Sequence, residues 1–179
     1  YLDSQKGYIR NQQPILGPLG VNFKDWSTSD HYYKGSWILH TLRHAIDDDE
    51  KFWSSLRGVY DEFAYGHATT EDIVGYFNKN TDRNWDAFFE QYLSYPYIPK
   101  LIYDLEQQDD NLLVRFKWET DVAEFDMPVL IGKKGNYVLV RPTTDKVYET
   151  ILIDIDKSDF KVAEELFYIR SGQSNLSKE

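Results

Sequence analysis

The spacing of apolar residues changes once along this chain, at Pro96 and Pro99. Before these prolines, apolar residues recur every three or four positions, which is the spacing of one helix face. After them, apolar and polar residues alternate, which is the spacing of one strand face. One segment cannot satisfy both spacings, and so the pattern predicts an α+β chain whose helices precede its strands.

Four helices are predicted in the first half. Asp47, Asp48 and Asp49 end the first helix and start the second, because aspartate caps a helix N-terminus well. Thr69 and Asp72 have the spacing of a capping box that opens the third. The first thirty residues contain several prolines and glycines and are predicted to be irregular. The predicted helices cover residues 32–46, about 50–65, 70–77 and about 84–93.

Short alternating segments follow Pro99, with turn residues between them. Strands at this spacing are typical of a small antiparallel β-sandwich. The predicted strands cover residues 101–105, 112–118, 127–131, 137–141, 148–155 and 165–169. The predicted organisation is therefore a helical region, a β-sandwich domain and a polar tail that frays, at residues 1–98, 99–170 and 171–179.

Composition removes several classes of function. The net charge is −10, and an acidic surface repels phosphate, which argues against nucleic-acid binding. No apolar run approaches the length of about 18–20 residues that crosses a bilayer, and so no membrane span is predicted. The chain has no cysteine, which excludes disulfides and thiol catalysis.

The residues alone do not form a complete catalytic motif. His40 and His44 stand four apart on the first predicted helix, but Thr41 occupies the position where a zinc peptidase helix, H-E-x-x-H, carries its glutamate. Neither a G-x-S-x-G elbow nor a phosphate-binding glycine loop occurs in the sequence. We therefore expect no residue of this chain to hold a metal or a cofactor.

One stretch matches a known family. It consists of Tyr32, Tyr33, Lys34 and Gly35, followed by the apolar helix up to Arg43. This stretch resembles the tyrosine motif of the aminopeptidase N-like zinc metallopeptidases, the gluzincins. The family pattern is Tyr-x-Lys-Gly before a helix with a Leu-x-x-Leu-Arg segment. Further segments resemble this family in the same order, at residues 11–15, 47–53, 70–73, 88–93, 98–99 and 125–129.

The resemblance implies the helical half of a thermolysin-like catalytic domain, followed by a small β domain. The family's zinc ligands precede the tyrosine motif, and neither they nor its Gly-x-Met-x-Asn substrate loop occur here. The chain then resembles a C-terminal fragment of a bacterial zinc aminopeptidase, inactive alone, whose parent uses zinc to hydrolyse N-terminal peptide bonds. Its partners would be a peptide substrate, through the parent, and the missing N-terminal half. A free-standing relic is the alternative origin, and a periplasmic or secreted location is the expectation.

The resemblance also assigns roles to residues. Tyr32 would be the catalytic residue that donates a hydrogen bond to the oxyanion, since an ordinary phenol keeps its proton at neutral pH. Lys34 would pair with a carboxylate of the missing half, and Gly35 would allow backbone to approach closely. The first two helices are expected to expose an apolar face where that half is missing.

Two other functions remain open. Fourteen tyrosines and five tryptophans suit a non-catalytic, aromatic-rich module that binds a glycan or a protein partner. Its platform would be formed by exposed rings of the second half, namely Tyr103, Trp118, Tyr137 and Tyr148. The other possibility is an autonomous hydrolase built around His40 and His44.

Overall fold

Five helices precede the first strand in the computed structural model, which describes residues 2–17, 20 and 28–176. The helices are α1 (Leu2–Lys6), α2 (Asp30–Ile46), α3 (Asp49–Glu62), α4 (Thr70–Thr81) and α5 (Asp86–Ser94). The strands are β1 (Lys100–Gln108), β2 (Asn111–Glu119), β3 (Val129–Lys133), β4 (Asn136–Val140), β5 (Tyr148–Leu152), β6 (Lys161–Val162) and β7 (Arg170–Gln173). The α+β prediction is confirmed, and so are the four longer helices to within a few residues.

The aspartates between α2 and α3 act as predicted. Asp47 has a positive φ of 56° and ends α2, a conformation that aspartate tolerates better than most residues. The side chain of Asp48 accepts a hydrogen bond from the Lys51 backbone at 2.9 Å, which caps α3. The capping box of Thr69 and Asp72 opens α4.

The strands form two small sheets. One has the order β5-β2-β1-β7 and the other β4-β3-β6. The predicted hairpin of β1 and β2 is present, with Leu101 opposite Trp118 and Gln108 opposite Asn111. Alternate residues of β2 are buried, as its sequence pattern predicts.

The C-terminal end differs from the prediction. The strand predicted at 165–169 is wrong, because this segment is a turn region whose residues Phe167, Tyr168 and Ile169 are all buried. The last strand is β7, and it runs parallel to β1, so the first sheet is mixed rather than antiparallel. The tail predicted to fray from Ser171 is paired up to Gln173, and Leu176 is buried. Residues 177–179 of that tail, like 1, 18, 19 and 21–27 of the helical region, lie outside the described residues.

The first residues also differ from the prediction, since α1 lies in a segment predicted to be irregular. Its stability comes from contacts with α2. The Trp37 indole donates to the Leu2 carbonyl at 2.9 Å, and the Lys6 ammonium lies 3.9 Å from the centre of the Trp37 ring. Such contacts are not visible in the local pattern of five residues.

Helices and sheets share one buried core. The Tyr92 hydroxyl of α5 donates to the Tyr168 carbonyl at 2.8 Å, and the Tyr168 amide donates to the Thr41 hydroxyl of α2 at 2.8 Å. Burial raises the pKa of Tyr92 well above its usual value. The predicted division into two domains stays a prediction.

A buried ion on each of two successive turns fixes the start of α2. Lys34 is fully buried, and its ammonium donates to the carbonyls of Tyr95 at 3.0 Å and Pro96 at 3.1 Å. Asp30 is also buried, and its carboxylate accepts from the amides of Arg10 at 2.9 Å and Asn11 at 2.7 Å. The start of α2 is therefore held on both sides.

This arrangement corrects one sequence expectation. Lys34 was expected to pair with a carboxylate of a missing half, but in the structure it binds backbone carbonyls of this chain. Burial lowers the pKa of Lys34 to about 8, and the nearby charge of Asp30 opposes that shift.

Replacing Lys34 by methionine is expected to lower the free energy of unfolding by about 1–3 kcal/mol at pH 7, because the partly buried carbonyls of Tyr95 and Pro96 lose their donor. The folded pKa of Lys34 is about 8 and the usual value is 10.5. Between these values the unfolded chain binds more protons, and so the wild type gains stability as pH rises. Urea unfolding from pH 7 to 10 should therefore show the difference between wild type and variant growing. A difference that shrinks would contradict the assignment, and Lys79→Met on an exposed face of α4 is the control.

Candidate functional site

Tyr32 lies on the first turn of α2 with its ring in solvent. The residue is 66% exposed, and the His31 ring packs against it with 4.2 Å between centroids. Within the described residues, no group hydrogen-bonds its hydroxyl. The hydroxyl is therefore available to an external acceptor.

The buried ions of α2 account for this orientation. Successive residues of an α-helix are rotated by about 100°, so Tyr32 lies about 160–200° around the helix from both Asp30 and Lys34. When those two residues face the interior, Tyr32 must face outward. Leu39, seven positions later, lies on the same side as Tyr32 and is also exposed.

An apolar groove begins beside Tyr32. It has a volume of about 470 Å³ and lies between α2, α4, α5 and the segment that precedes α2. We call it the apolar groove, and its walls are Ile15, Leu16, His31, Tyr32, Gly35, Ser36, Ile38, Leu39, Thr70, Ile73, Val74, Phe89 and Leu93. The exposed apolar face was expected on the first two predicted helices, α2 and α3, and each carries exposed large apolar residues, Tyr32 and Leu39 on α2 and Trp53 and Tyr60 on α3. The groove itself lies between α2, α4 and α5.

Gly35 leaves open space in the wall of this groove. A β-carbon added there would meet no atom within 4 Å outside its own helix. The close backbone approach expected at Gly35 is therefore not made by any residue that the structure describes. The glycine widens the groove beside Tyr32.

His40 and His44 form a separate cluster further along α2. Their ring centroids are 4.6 Å apart, and the Trp37 ring lies 5.2 Å from His40. Burial lowers the pKa of both histidines, and so does the charge of Arg43. The charge of Lys6 further lowers the pKa of His40, and His40 further lowers the pKa of His44. Neither residue lines the apolar groove. Among residues 2–17, 20 and 28–176, no group of three histidine, cysteine or carboxylate side chains is arranged to hold a metal ion.

The aromatic platform of the alternative function is not formed. Trp118 is 1% exposed, and its indole donates to the Met127 carbonyl at 2.9 Å. Tyr103 packs against Phe160. The four rings expected to form the platform are buried or half-buried, namely Tyr103, Trp118, Tyr137 and Tyr148.

Tyr137 shows how these rings are held. Its hydroxyl donates to Glu165 at 2.7 Å. Burial, together with this hydrogen bond to the carboxylate, raises the pKa of Tyr137 to about 12. A ring fixed in this way serves the packing of the sheets rather than an exposed platform.

The fold of this chain recurs within a solved aminopeptidase. That structure is aminopeptidase A of Legionella pneumophila in complex with aspartic acid, and the two folds superpose with a TM-score of 0.66 at 16% sequence identity. The match covers 83% of this chain and 18% of the length of that chain. No family model and no curated protein sequence matches this chain. The likeness is therefore one of fold, of the kind found in a peptidase.

None of the described helices combines the length and the apolar character needed to cross a membrane.

The sequence pointed to Tyr32 as a candidate but not to the groove beside it. The groove walls come from four separate segments, and no one of these segments has the sequence pattern of a groove. Helix glycines give no reliable signal of it, because Gly35 and Gly75 have open space beside them whereas a β-carbon at Gly58 of α3 would meet the Tyr76 side chain.

Replacing Gly35 by alanine is expected to raise the free energy of unfolding by about 0.5–1 kcal/mol, because alanine favours the helix and its β-carbon meets no atom. Gly132→Ala is the contrasting variant. Gly132 has a φ of +139°, and a β-carbon there would lie 2.8 Å from the Asn136 carbonyl. That variant is expected to lose about 1 kcal/mol or more. Thermal unfolding of both variants checks the pair, and a loss of stability for Gly35→Ala would contradict the open space.

The histidine cluster is expected to make the fold acid-sensitive. Because the folded pKa values of His40 and His44 lie below the usual 6.5, the unfolded chain binds more protons as pH falls through that value. Their contribution to stability is present at pH 7 and is lost as pH falls toward 5. The double variant His40→Gln, His44→Gln should show a shallower loss of stability over this range. The exposed His67, replaced by glutamine, should leave the slope as in the wild type.

Proposed function

We propose that this chain is part of an aminopeptidase N-like zinc metallopeptidase of the gluzincin family. In this proposal, α2 to α5 belong to the helical half of a thermolysin-like catalytic domain, and the sheets follow it as a small β domain. The likeness of fold to an aminopeptidase supports the proposal, and so does the motif from Tyr32 to Gly35. The observation that carries it is the exposed side chain of Tyr32 beside an apolar groove, with a hydroxyl that no described residue hydrogen-bonds.

Tyr32 would act on the carbonyl group of a bound peptide. When the carbonyl carbon is attacked, negative charge develops on its oxygen, and a donor already aimed at that position lowers the barrier. The hydroxyl of Tyr32 is such a donor, because no described group competes for its proton. The rigid attachment of α2 at Asp30 and Lys34 keeps the ring in place before the substrate arrives.

The residues described here do not fit a zinc site. His40 and His44 have no third ligand beside them within the described chain, and they lie away from Tyr32 on the last turns of α2. We propose that the zinc ligands of the parent are supplied by another segment, and that this chain alone hydrolyses no peptide. The substrate of the parent would be a peptide cleaved at its N-terminal bond.

The test is Tyr32→Phe in the full-length parent. Loss of one oxyanion donor typically lowers the turnover number by about 10²–10³. The Michaelis constant and the melting temperature are expected to change little, because the ring is exposed and its hydroxyl makes no hydrogen bond to a described residue. Tyr60→Phe, at a tyrosine of α3 that is 74% exposed, is the control and should keep full activity. An unchanged turnover number for Tyr32→Phe would reject the role.

A further inference from the structure

A second groove continues from the apolar groove along α4 and α5. It has a volume of about 570 Å³ and shares five wall residues with the first. The shared walls are Leu16, Thr70, Val74, Phe89 and Leu93. We call the second groove the acidic groove and the two together the trough. The trough therefore runs from Tyr32, between three helices, to the first turn of α5.

Three carboxylates line the acidic groove, from Glu71, Asp86 and Glu90. None of the described wall residues of either groove is lysine or arginine. Within the described chain these three carboxylates form no ion pair, and Asp86 accepts only amide hydrogen bonds, from Asn78 and Asn84. No described residue therefore neutralises the negative charge of this end.

The other end of the trough is apolar and open. Leu16 is 43% exposed and Leu39 is 36% exposed, and both line the apolar groove. Gly75 lines the acidic groove, and a β-carbon added there would meet no atom within 4 Å outside its helix. Glycine inside a helix is unfavourable, and Gly35 and Gly75 leave space in the trough for an occupant.

We infer that the trough binds an extended peptide segment, with an apolar side chain in the apolar groove and a basic side chain in the acidic groove. Each groove has the volume of a typical ligand site, and charge complementarity sets the direction of the peptide. The inference rests on the proposed function, because it takes the occupant to be the peptide beside Tyr32. It adds a substrate class: peptides with an apolar residue next to a basic one.

Fluorescence anisotropy of this chain with two labelled peptides tests the inference. The probes are Gly-Leu-Lys-Arg-Gly and its charge-reversed partner Gly-Leu-Glu-Glu-Gly, each with a blocked N-terminus and a neutral dye. The basic peptide is expected to bind at least about tenfold more tightly at low ionic strength, and added salt should reduce the difference. Equal binding of both peptides, or no binding of either, would overturn the inference.

Three variants locate the binding. The double variant Glu71→Gln, Glu90→Gln is expected to weaken binding of the basic peptide by about three- to tenfold, as for partly exposed charge pairs. The double variant Asp61→Asn, Glu62→Gln, at two exposed carboxylates of α3 outside the trough, removes the same charge and is the matched control, which should bind as the wild type does. Gly75→Leu should remove binding by filling the acidic groove while its melting temperature stays at or above that of the wild type. Unchanged binding by the double variant or by Gly75→Leu would overturn the inference.

Sedimentation of the chain without peptide tests whether a second copy of the chain occupies the trough. A dimer that Gly75→Leu converts to a monomer would show that the trough is a contact between copies, which also overturns the inference. The outcome is separable from that of the proposed function. Failure of peptide binding here leaves the Tyr32→Phe experiment on the parent unaffected, and an unchanged turnover in that experiment leaves the peptide affinities as measured.

Discussion

The ammonium group of Lys34 lies in the interior of the protein, where hydrogen bonds to the Tyr95 and Pro96 carbonyls replace its hydration. A buried charge without such partners is strongly destabilising, so the position of α2 relative to the end of α5 is narrowly defined. Asp30 imposes the same requirement on the opposite side, through the amides of Arg10 and Asn11. The direction of Tyr32 and the walls of the apolar groove both follow from these two attachments.

The sheets contribute to the site through the core. The Tyr92 hydroxyl and the Thr41 hydroxyl bind the backbone of Tyr168, and so the segment before β7 is joined to both α5 and α2. Gln91 adds a further link, because its carboxamide binds the backbone of Asp121 and Val122 after β2. The helices that form the groove are therefore supported from behind by residues of the sheet region.

Periodicity predicted the elements whose burial is one-sided and local, such as α2 and the hairpin of β1 and β2. It missed α1, which depends on distant contacts with Trp37, and β7, whose pairing uses backbone groups and leaves no side-chain pattern. A strand was predicted at 165–169 because four of these five residues are apolar, and a turn with consecutive buried residues can have the same composition as a buried strand. At the candidate site, Tyr32 was predicted through a family resemblance, whereas the groove arises where four separate segments meet and no single segment carries its signal.

The two ends of the described chain meet. The Lys6 ammonium donates to the Glu164 carbonyl at 2.6 Å across a separation of 158 residues. The side-chain amide of Asn11 donates to the Tyr168 hydroxyl at 2.8 Å across a separation of 157 residues. Contacts between residues so far apart in sequence form late in folding. Closing the long loop between them costs conformational entropy, and this cost comes before the contacts can stabilise the chain. Asn11 also binds Asp30, so the final ordering of the helix that carries Tyr32 awaits the arrival of the C-terminal segment. During synthesis on the ribosome, the groove would then be among the last features to take shape.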